Sequence, residues 1–280
     1  MRIAAFSDIH SNSAAFEACI KKAGEIGFDA CVFLGDFVSD CAYPERTMDL
    51  IEKLKAKYPS EIIRGNREEY LLNHLKHPDD DWKYNSKTGS LLYTFENLSK
   101  ETIQSFDCMP PSRLVSFSGY PSFEIAHGSF SKSRAMVLPG HKDAEEMFAS
   151  MQTNLALVGH THYMFIMQRG EKTIANAGPI GVPGRNLPGA SFLMMESGKT
   201  EWKVSLHRVE YDIDRVISEM DESGLTQKSN VWARGIKAML RTGREYLLEV
   251  LSDVDQMSIL YHLPNDDERL WEEAARKLGI

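Results

Sequence analysis

The sequence predicts an α/β fold in which antiparallel hairpins are added to a parallel sheet, and two observations carry this prediction. Over residues 1–66, short apolar runs alternate with segments of helical period. Over residues 163–211, apolar runs are joined by short turns that contain glycine, which is typical of hairpins. The strand and helix alternation implies parallel pairing with crossovers. An α/β sheet joined to or packed on an antiparallel sheet is therefore the economical account.

The N-terminal region is predicted to run strand, helix, strand, helix, strand. The strands are the apolar runs over residues 2–8, 30–36 and 61–66. The first helix covers residues 13–27, where apolar side chains recur at helical spacing. The second helix begins near Pro44, because proline is suited to the first helical turn.

The later strands are predicted as two apolar runs followed by two hairpins. The runs cover residues 122–129 and 154–162, and a predicted helix over 143–151 separates them. The hairpins turn at two dipeptides, Arg169-Gly170 and Ser197-Gly198.

Two segments are predicted to be mostly helical. One is an insertion at about 67–120, and the other is a C-terminal extension over 212–280, packed on a domain that spans residues 1–211. The extension is expected to contain helices over 213–220, 231–251 and 265–280. Asn265 is the expected cap of the last helix. This helix has an apolar stripe that is expected to pack on the core. The stripe comprises Leu270, Trp271, Ala274, Ala275 and Leu278.

Composition excludes some classes of partner. The net charge is −8, from 32 basic and 40 acidic residues, which gives no electrostatic footprint for duplex nucleic acid or an anionic membrane. The four cysteines show no C-x-x-C spacing, and Cys31 lies in an apolar run, so we expect free thiols in a reducing cytoplasm. The apolar run at residues 3–6 is too short for a signal peptide, and no run is long enough to span a membrane.

Five apolar runs share one feature: each is followed by one or two residues that can bind a metal. These residues are Asp8 and His10, Asp36, Asn66, His127, and His160 and His162. In α/β sheets, ligands bind beyond the carboxyl ends of the strands, where loops converge. Seven such side chains at five predicted strand ends therefore predict one site.

The residue types indicate what the site binds. Carboxylates, imidazoles and an amide, without thiolate, suit Mn, Fe, Zn, Ni or Co better than an all-oxygen magnesium or calcium site. If one carboxylate bridges, seven side chains supply eight bonds, which is enough for two divalent ions with open positions. Asp8 and Asp36 supply two negative charges, so the loaded site keeps about two positive charges and favours a phosphate oxyanion. Two metals can hydrolyse a phosphoester without a protein nucleophile.

The motifs DIH, GDFV, GNRE, AHGS and GHTH, in this order over residues 8–162, resemble the calcineurin-like metallophosphoesterases. The resemblance implies an α/β fold of two packed mixed sheets flanked by helices, in four layers. It also implies two metal sites that share a bridging Asp36. The implied ligands of the first are Asp8, His10, Asp36 and His162, and those of the second are Asp36, Asn66, His127 and His160. Asp36, Asn66 and His127 are expected to act in catalysis.

Residues 1–223 are similar to one branch of that family, the small bacterial and archaeal phosphodiesterases grouped with diadenosine tetraphosphatases. The likeness implies a phosphate contact by Asn12, which could equally cap the first helix. Arg67 is expected to be either a substrate residue or a surface salt-bridge partner. Arg67 replaces the histidine of the G-N-H-E motif of protein phosphatases; a guanidinium can clamp phosphate but cannot supply a proton. In the late loop, NAGPIGVPGR, Arg185 stands one place after the family's arginine position.

The expected function is hydrolysis of a phosphodiester or phosphoanhydride by a hydroxide that bridges two metals. The expected partner is a small phosphorylated substrate, with a nucleotide as one candidate. Two alternatives within the enzyme class are a diadenosine polyphosphate hydrolase and a phosphomonoesterase or protein phosphatase. An alternative of another class is a binding module that keeps the fold without catalysis. Two roles are open for Trp82, Tyr84 and Tyr93, which are stacking of a nucleobase and packing in the core. His74 and His77 are expected to be solvated.

Overall fold

The computed structural model describes residues 1–184 and 187–280, and within these ranges it contains two five-stranded mixed sheets flanked by ten α-helices. The strands are β1 (Arg2–Phe6), β2 (Ala30–Phe33), β3 (Ser60–Ile62), β4 (Ser112–Val115), β5 (Phe123–Ala126), β6 (Leu155–Val158), β7 (Phe165–Arg169), β8 (Lys172–Asn176), β9 (Ala190–Ser197) and β10 (Trp202–Val209). The helices are α1 (Ser13–Ile26), α2 (Pro44–Lys57), α3 (Asn66–Lys76), α4 (Gly89–Glu96), α5 (Lys100–Ser105), α6 (Lys142–Ser150), α7 (Ile213–Glu222), α8 (Leu225–Thr242), α9 (Leu247–Tyr261) and α10 (Glu268–Leu278). Each of these helices is too short or too polar to traverse a bilayer.

The first sheet has the order β10-β9-β1-β2-β3, and the second has the order β4-β5-β6-β8-β7. In the first, β1, β2 and β3 are parallel, whereas β9 is antiparallel to both β1 and β10. In the second, β5, β6 and β8 are parallel, and β4 and β7 are antiparallel edge strands. The predicted pair of mixed sheets is therefore confirmed.

The side chains of β1 alternate between two apolar layers, as expected for a strand covered on both faces. Ile3 and Ala5 lie in the core between the sheets, together with Leu157 from β6. Phe6 lies in the opposite layer, where its ring contacts that of Phe16 from α1 at 5.3 Å between centroids. On the far face of the second sheet, side chains of β5, β6 and β8 pack with α6. The order of layers is α/β/β/α.

Two expectations about strands are corrected. The two hairpins do not form one antiparallel sheet, because β9 pairs with β1 in the first sheet while β8 pairs with β6 in the second. The insertion over 67–120 contains a strand, β4, which pairs with β5. The β4 sequence, SRLV, exposes two of its four side chains at the sheet edge, so it carries little hydrophobic pattern.

Two expectations about the C-terminal helices are also corrected. The helix expected over 231–251 is broken at Gly243, whose φ of 70° ends α8, and α9 begins at Leu247. The cap of α10 is Asp267, which accepts a hydrogen bond from the backbone N–H of Arg269, rather than Asn265.

The aromatic side chains of the insertion differ in their burial and in their contacts. His74 is buried and stacks on Trp82 at 4.0 Å between ring centroids, so the expectation that it is solvated is wrong. His77 is exposed at the end of α3, as expected. Tyr93 is buried in the apolar cluster that joins the insertion to α7 and α8. Tyr84 is exposed, and its hydroxyl donates a hydrogen bond to the carboxylate of Glu96.

The apolar stripe of α10 packs in a cluster with α8 and α9. Trp271 is 1% exposed, its ring contacts Trp232, and its indole N–H donates to the carbonyl of Asn265 at 2.9 Å. Ala274 and Ala275 are fully buried beside it. The C-terminal helices are therefore held by a core of their own in addition to the cluster in which they pack with Ala14 of α1 and Tyr93 of α4.

We expect Trp271→Ala to lower the free energy of unfolding by about 3–5 kcal/mol, because the substitution leaves a large cavity and an unpaired carbonyl. Arg276→Ala, at an exposed position of the same helix, is the control and should change it by less than about 0.5 kcal/mol. Urea titration followed by far-UV circular dichroism, which does not rely on tryptophan fluorescence, measures the free energy of unfolding of both variants. A loss below about 1 kcal/mol for the tryptophan variant would contradict this account of the packing.

Candidate metal centre

The candidate ligands lie on the loops beyond the carboxyl ends of β1, β2, β3, β5 and β6. Five of them have left-handed backbone conformations, with φ between 50° and 64°, and these are Asp8, His10, Asp36, His160 and His162. Such conformations cost about 1–3 kcal/mol each for residues other than glycine, and they concentrate at functional sites. The chain therefore accepts strain to turn these side chains toward one centre.

Glycines that precede two of the ligands let the loops approach closely. A Cβ atom on Gly65 would lie 2.3 Å from Oδ1 of Asp36, and one on Gly159 would lie 2.1 Å from Oγ of Ser7. Only a residue without a side chain fits at either position. The G-N and G-H pairs of the motifs thus have a steric cause.

All seven predicted ligands meet in one buried centre, and their donor atoms form two groups. Asp8, His10 and His162 form the first, and Asp36, His127 and His160 form the second; within each group the donor atoms lie within 4.8 Å of one another. The carboxylate of Asp36 lies between the groups. Its Oδ1 is 3.4 Å from Nε2 of His127 and its Oδ2 is 3.9 Å from Nε2 of His10.

Asn66 completes the second group through its side-chain oxygen, which is 3.2 Å from Nε2 of His127. In the first group, Nε2 of His162 lies 3.4 Å from Oδ1 of Asp8 and 3.0 Å from Nε2 of His10. Imidazole nitrogens and acidic or amide oxygens this close together have the chemistry of a cation site. The residues present therefore fit two divalent ions.

Hydrogen bonds fix the direction in which two imidazoles face. Nδ1 of His127 lies 2.7 Å from the carbonyl oxygen of Leu34, and Nδ1 of His10 lies 2.9 Å from Oδ2 of Asp40. With Nδ1 as the donor in both rings, Nε2 faces the centre and would offer its lone pair to a metal ion that displaces the proton. This arrangement, in which an acceptor orients the ring from behind, is typical of metal-binding histidines.

The electrostatics of the centre favour the binding of cations. Burial alone would raise the pKa of Asp36, but His127, His10 and Arg67 hold it well below its usual range. Burial alone would lower the pKa of His127, but Asp36 and Asp8 raise it to about 10. Burial and the neighbouring His127 lower the pKa of His160 to about 4, which keeps that ring neutral near pH 7. The carboxylates thus stay charged and attract positive charge, which divalent ions supply more strongly than protons do.

The similarity of this chain to a known protein family agrees with this geometry. The sequence profile described as the calcineurin-like phosphoesterase superfamily domain matches residues 1–200. The chain belongs to this superfamily. Membership implies a phosphoester hydrolase that uses divalent metal ions, and it confirms the resemblance that the five motifs indicate.

Two solved structures and one further sequence are similar to this chain. A metallophosphoesterase of Sphaerobacter thermophilus, known from its crystal structure, is 25% identical with a TM-score of 0.69, over 87% of this chain and 100% of that one. A hypothetical protein of Pyrococcus horikoshii is 20% identical with a TM-score of 0.74, over 86% and 98%. An uncharacterized protein of Methanocaldococcus jannaschii is 24% identical over 243 residues, which are 80% of this chain and 94% of its own.

The two predicted substrate residues of this superfamily chain lie in different surroundings. The side-chain oxygen of Asn12 caps α1 at 3.1 Å from the N–H of Ala15, and its amide donates to the carbonyl of Gly181 at 2.9 Å. Arg67 pairs with Asp40 at 3.1 Å, and its Nε is buried without a hydrogen-bond partner among the described residues. Arg185 lies outside the described residues.

A cavity of about 190 Å³ opens on the candidate metal centre. Arg67, Asp40, His160 and His162 line its inner side, and α8 and α9 form the outer side. A larger cavity of about 470 Å³, near Trp202 and Gln168, is lined by none of the candidate ligands. The smaller cavity therefore gives access to the candidate ligands His160 and His162.

Sequence reasoning missed two acidic residues that support the ligands. Glu68 accepts hydrogen bonds from the N–H groups of Asp36, Phe37 and Gly65, at 2.9, 2.8 and 2.7 Å, and so joins the loops after β2 and β3. Asp40 contacts His10 and Arg67 and also accepts from the indole of Trp232 at 2.8 Å. Signals existed in the sequence: Glu68 belongs to GNRE, and Asp40 follows Asp36 by four residues.

We expect Asp40→Asn to weaken binding of one divalent ion by about 10- to 100-fold, because the amide holds the His10 ring less strongly than the carboxylate does. Titration calorimetry with Mn²⁺ measures this change. Asp49→Asn, which removes an exposed carboxylate of α2, is the control and should bind as the wild type does. Equal affinity in the two variants would show that Asp40 does not position a ligand.

Proposed function

We propose that the chain is a dinuclear metal-dependent phosphoesterase that hydrolyses a small phosphodiester or phosphoanhydride. Asp8, His10, Asp36 and His162 would hold one ion, and Asp36, Asn66, His127 and His160 the other. The buried free thiols of Cys19, Cys31 and Cys41 suit a reducing cytoplasm, where we propose that the protein acts.

The observation that carries the proposal is the position of the Asp36 carboxylate. Its two oxygens face two separate donor groups, at 3.4 Å from His127 and 3.9 Å from His10. A carboxylate that served one ion would need only one such group. The backbone N–H of Arg67 donates to Oδ1 of Asp36 at 2.8 Å, and this hydrogen bond helps to hold the carboxylate between the two donor groups.

The residues of the chain would bind and orient the phosphate. When bound, two divalent ions supply a water of lowered pKa and neutralise charge on the phosphoryl oxygens. Arg67 lines the cavity, and a guanidinium suits a hydrogen bond to a phosphate oxygen. Asp40 and Asp36 raise the pKa of Arg67 further, although burial lowers it, so the group stays charged and cannot protonate a leaving group.

Because the Arg67 guanidinium does not release a proton, it cannot act as a general acid. The site therefore favours substrates whose leaving group departs without acid help. Phosphoanhydrides and diesters of acidic alcohols meet this condition, whereas phosphoserine, whose leaving alkoxide is strongly basic, does not. A phosphodiester also carries a single negative charge, which the centre can neutralise. We therefore rank a diester above a phosphomonoester or a phosphoprotein.

We expect Asp36→Asn to lower the metal content to below one ion per chain and to reduce turnover of bis(4-nitrophenyl) phosphate by at least about 10³-fold, because the shared ligand loses its charge. Elemental analysis and the release of nitrophenolate with added Mn²⁺ measure the two effects. The Asp49→Asn variant should keep both properties. Metal-free wild-type protein, or turnover that survives in the Asp36 variant, would instead favour a binding module that keeps the fold.

We expect the rate on a series of aryl phosphodiesters to fall steeply as the pKa of the leaving phenol rises, because Arg67 supplies no proton. Arg67→Ala should lower kcat/KM by about 10- to 100-fold across the whole series and leave the slope unchanged, since it removes a phosphate contact. Steady-state rates on at least five phenols give the slope. A shallow dependence in the wild type would mean that another group protonates the leaving oxygen.

A further inference from the structure

The cavity over the candidate metal centre has an outer side that the proposed hydrolysis does not by itself require. This side is apolar and comes from the C-terminal helices; it comprises Trp232, Ile236 and Met239 of α8 and Leu247, Leu248 and Leu251 of α9. We call these six residues the apolar wall. Leu248 is 64% exposed, although its side chain borders the same cavity as His160 and His162.

The wall is held in register with the metal centre. The indole N–H of Trp232 donates to Oδ1 of Asp40, whose other oxygen contacts His10 and Arg67. The guanidinium of Arg67 also lies 5.9 Å from the centre of the Trp232 ring. A phosphate bound at the centre would therefore have the apolar wall beside it at a fixed distance.

The charges at the cavity limit what else a substrate can carry. Glu245 lines the cavity, and its carboxylate accepts from the N–H of Leu247 at 2.9 Å, which fixes it at the start of α9. Among the described residues that line this cavity, Arg67 is the single permanent cation, and Asp40 pairs with it. In the adjoining cavity of about 340 Å³, Arg244 pairs with Glu249 at 3.1 Å. A chain of several phosphates would meet a carboxylate here, whereas an uncharged group would not.

We propose that the substrate is a small phosphodiester in which one ester group is an uncharged aromatic or branched apolar group, held against the apolar wall. The inference rests on the proposed function and narrows its substrate class. A cavity of about 150 Å³ is large enough for benzene, so a volume of about 190 Å³ admits one such ring. In the reaction, a water oxygen bonds to phosphorus, the P–O bond to the leaving alkoxide or phenolate breaks, and this leaving oxygen takes up the proton that the attacking water loses.

Binding of two phosphonates tests the wall without turnover. Titration calorimetry with the Mn²⁺-loaded protein compares phenylphosphonate with methylphosphonate, which share the phosphoryl oxygens and differ in the apolar group. We expect the wild type to prefer the phenyl compound by about 10-fold, since apolar contacts in a pocket give discrimination of this order. Leu248→Gln should reduce the preference by at least about threefold.

Leu260→Gln is the matched control, because Leu260 lies on the same helix, is 69% exposed and does not line the cavity. Its preference should equal that of the wild type. Equal affinities for the two phosphonates, no binding of either, or the same change in both variants would overturn the inference. Because both leucines are exposed, neither substitution removes a buried contact on which folding depends.

A second measurement separates this inference from the proposed function. The diesters phenyl 4-nitrophenyl phosphate and methyl 4-nitrophenyl phosphate have the same leaving group and differ in the group that would contact the wall. Hydrolysis of both with equal kcat/KM would reject the wall and keep the phosphoesterase. Hydrolysis of neither, together with a phenyl preference in binding, would reject the proposed phosphodiesterase activity and keep the wall.

Discussion

The structure depends on the burial of several charged side chains at the edge shared by the two sheets. Asp8, Asp36 and Asp40 are almost fully buried, as is the imidazole of His127. Charges in such surroundings are unfavourable unless they are paired or bind a metal. The hydrogen bonds from backbone N–H groups to Asp8 and Asp36, and the contacts of His10 and His127 with them, compensate part of this penalty. Two divalent ions would compensate the rest.

The fold positions these charges by a division of labour between strands and loops. Parallel strands β1, β2 and β3 end together in one sheet, and β5 and β6 end together in the other, so five loops converge. The loops then turn through left-handed conformations, and Glu68 ties two of them by three hydrogen bonds to backbone N–H groups. The core between the sheets, which contains residues such as Ile3 and Leu157, fixes the separation of the strand ends. Strain in the loops is thus supported by packing elsewhere.

Much of this arrangement could be predicted from the sequence, because each ligand follows an apolar run within a few residues. The signals are local, and their order along the chain matches the family motifs. The contact between Asp40 and Trp232 could not be predicted, because the two residues are 192 positions apart and meet only through tertiary packing. Strand β4 and the break at Gly243 were missed for a different reason, since a short edge strand and a single glycine carry weak patterns.

We propose that the carboxylate of Asp36 would be shared by two metal ions. Electron paramagnetic resonance of the protein loaded with two equivalents of Mn²⁺ detects such sharing, because ions joined by a bridging ligand are magnetically coupled. We expect the many-line spectrum of a coupled pair from the wild type and the six-line spectrum of isolated Mn²⁺ from the Asp36→Asn variant. A six-line spectrum from the wild type at full loading would show that Asp36 does not join two ions.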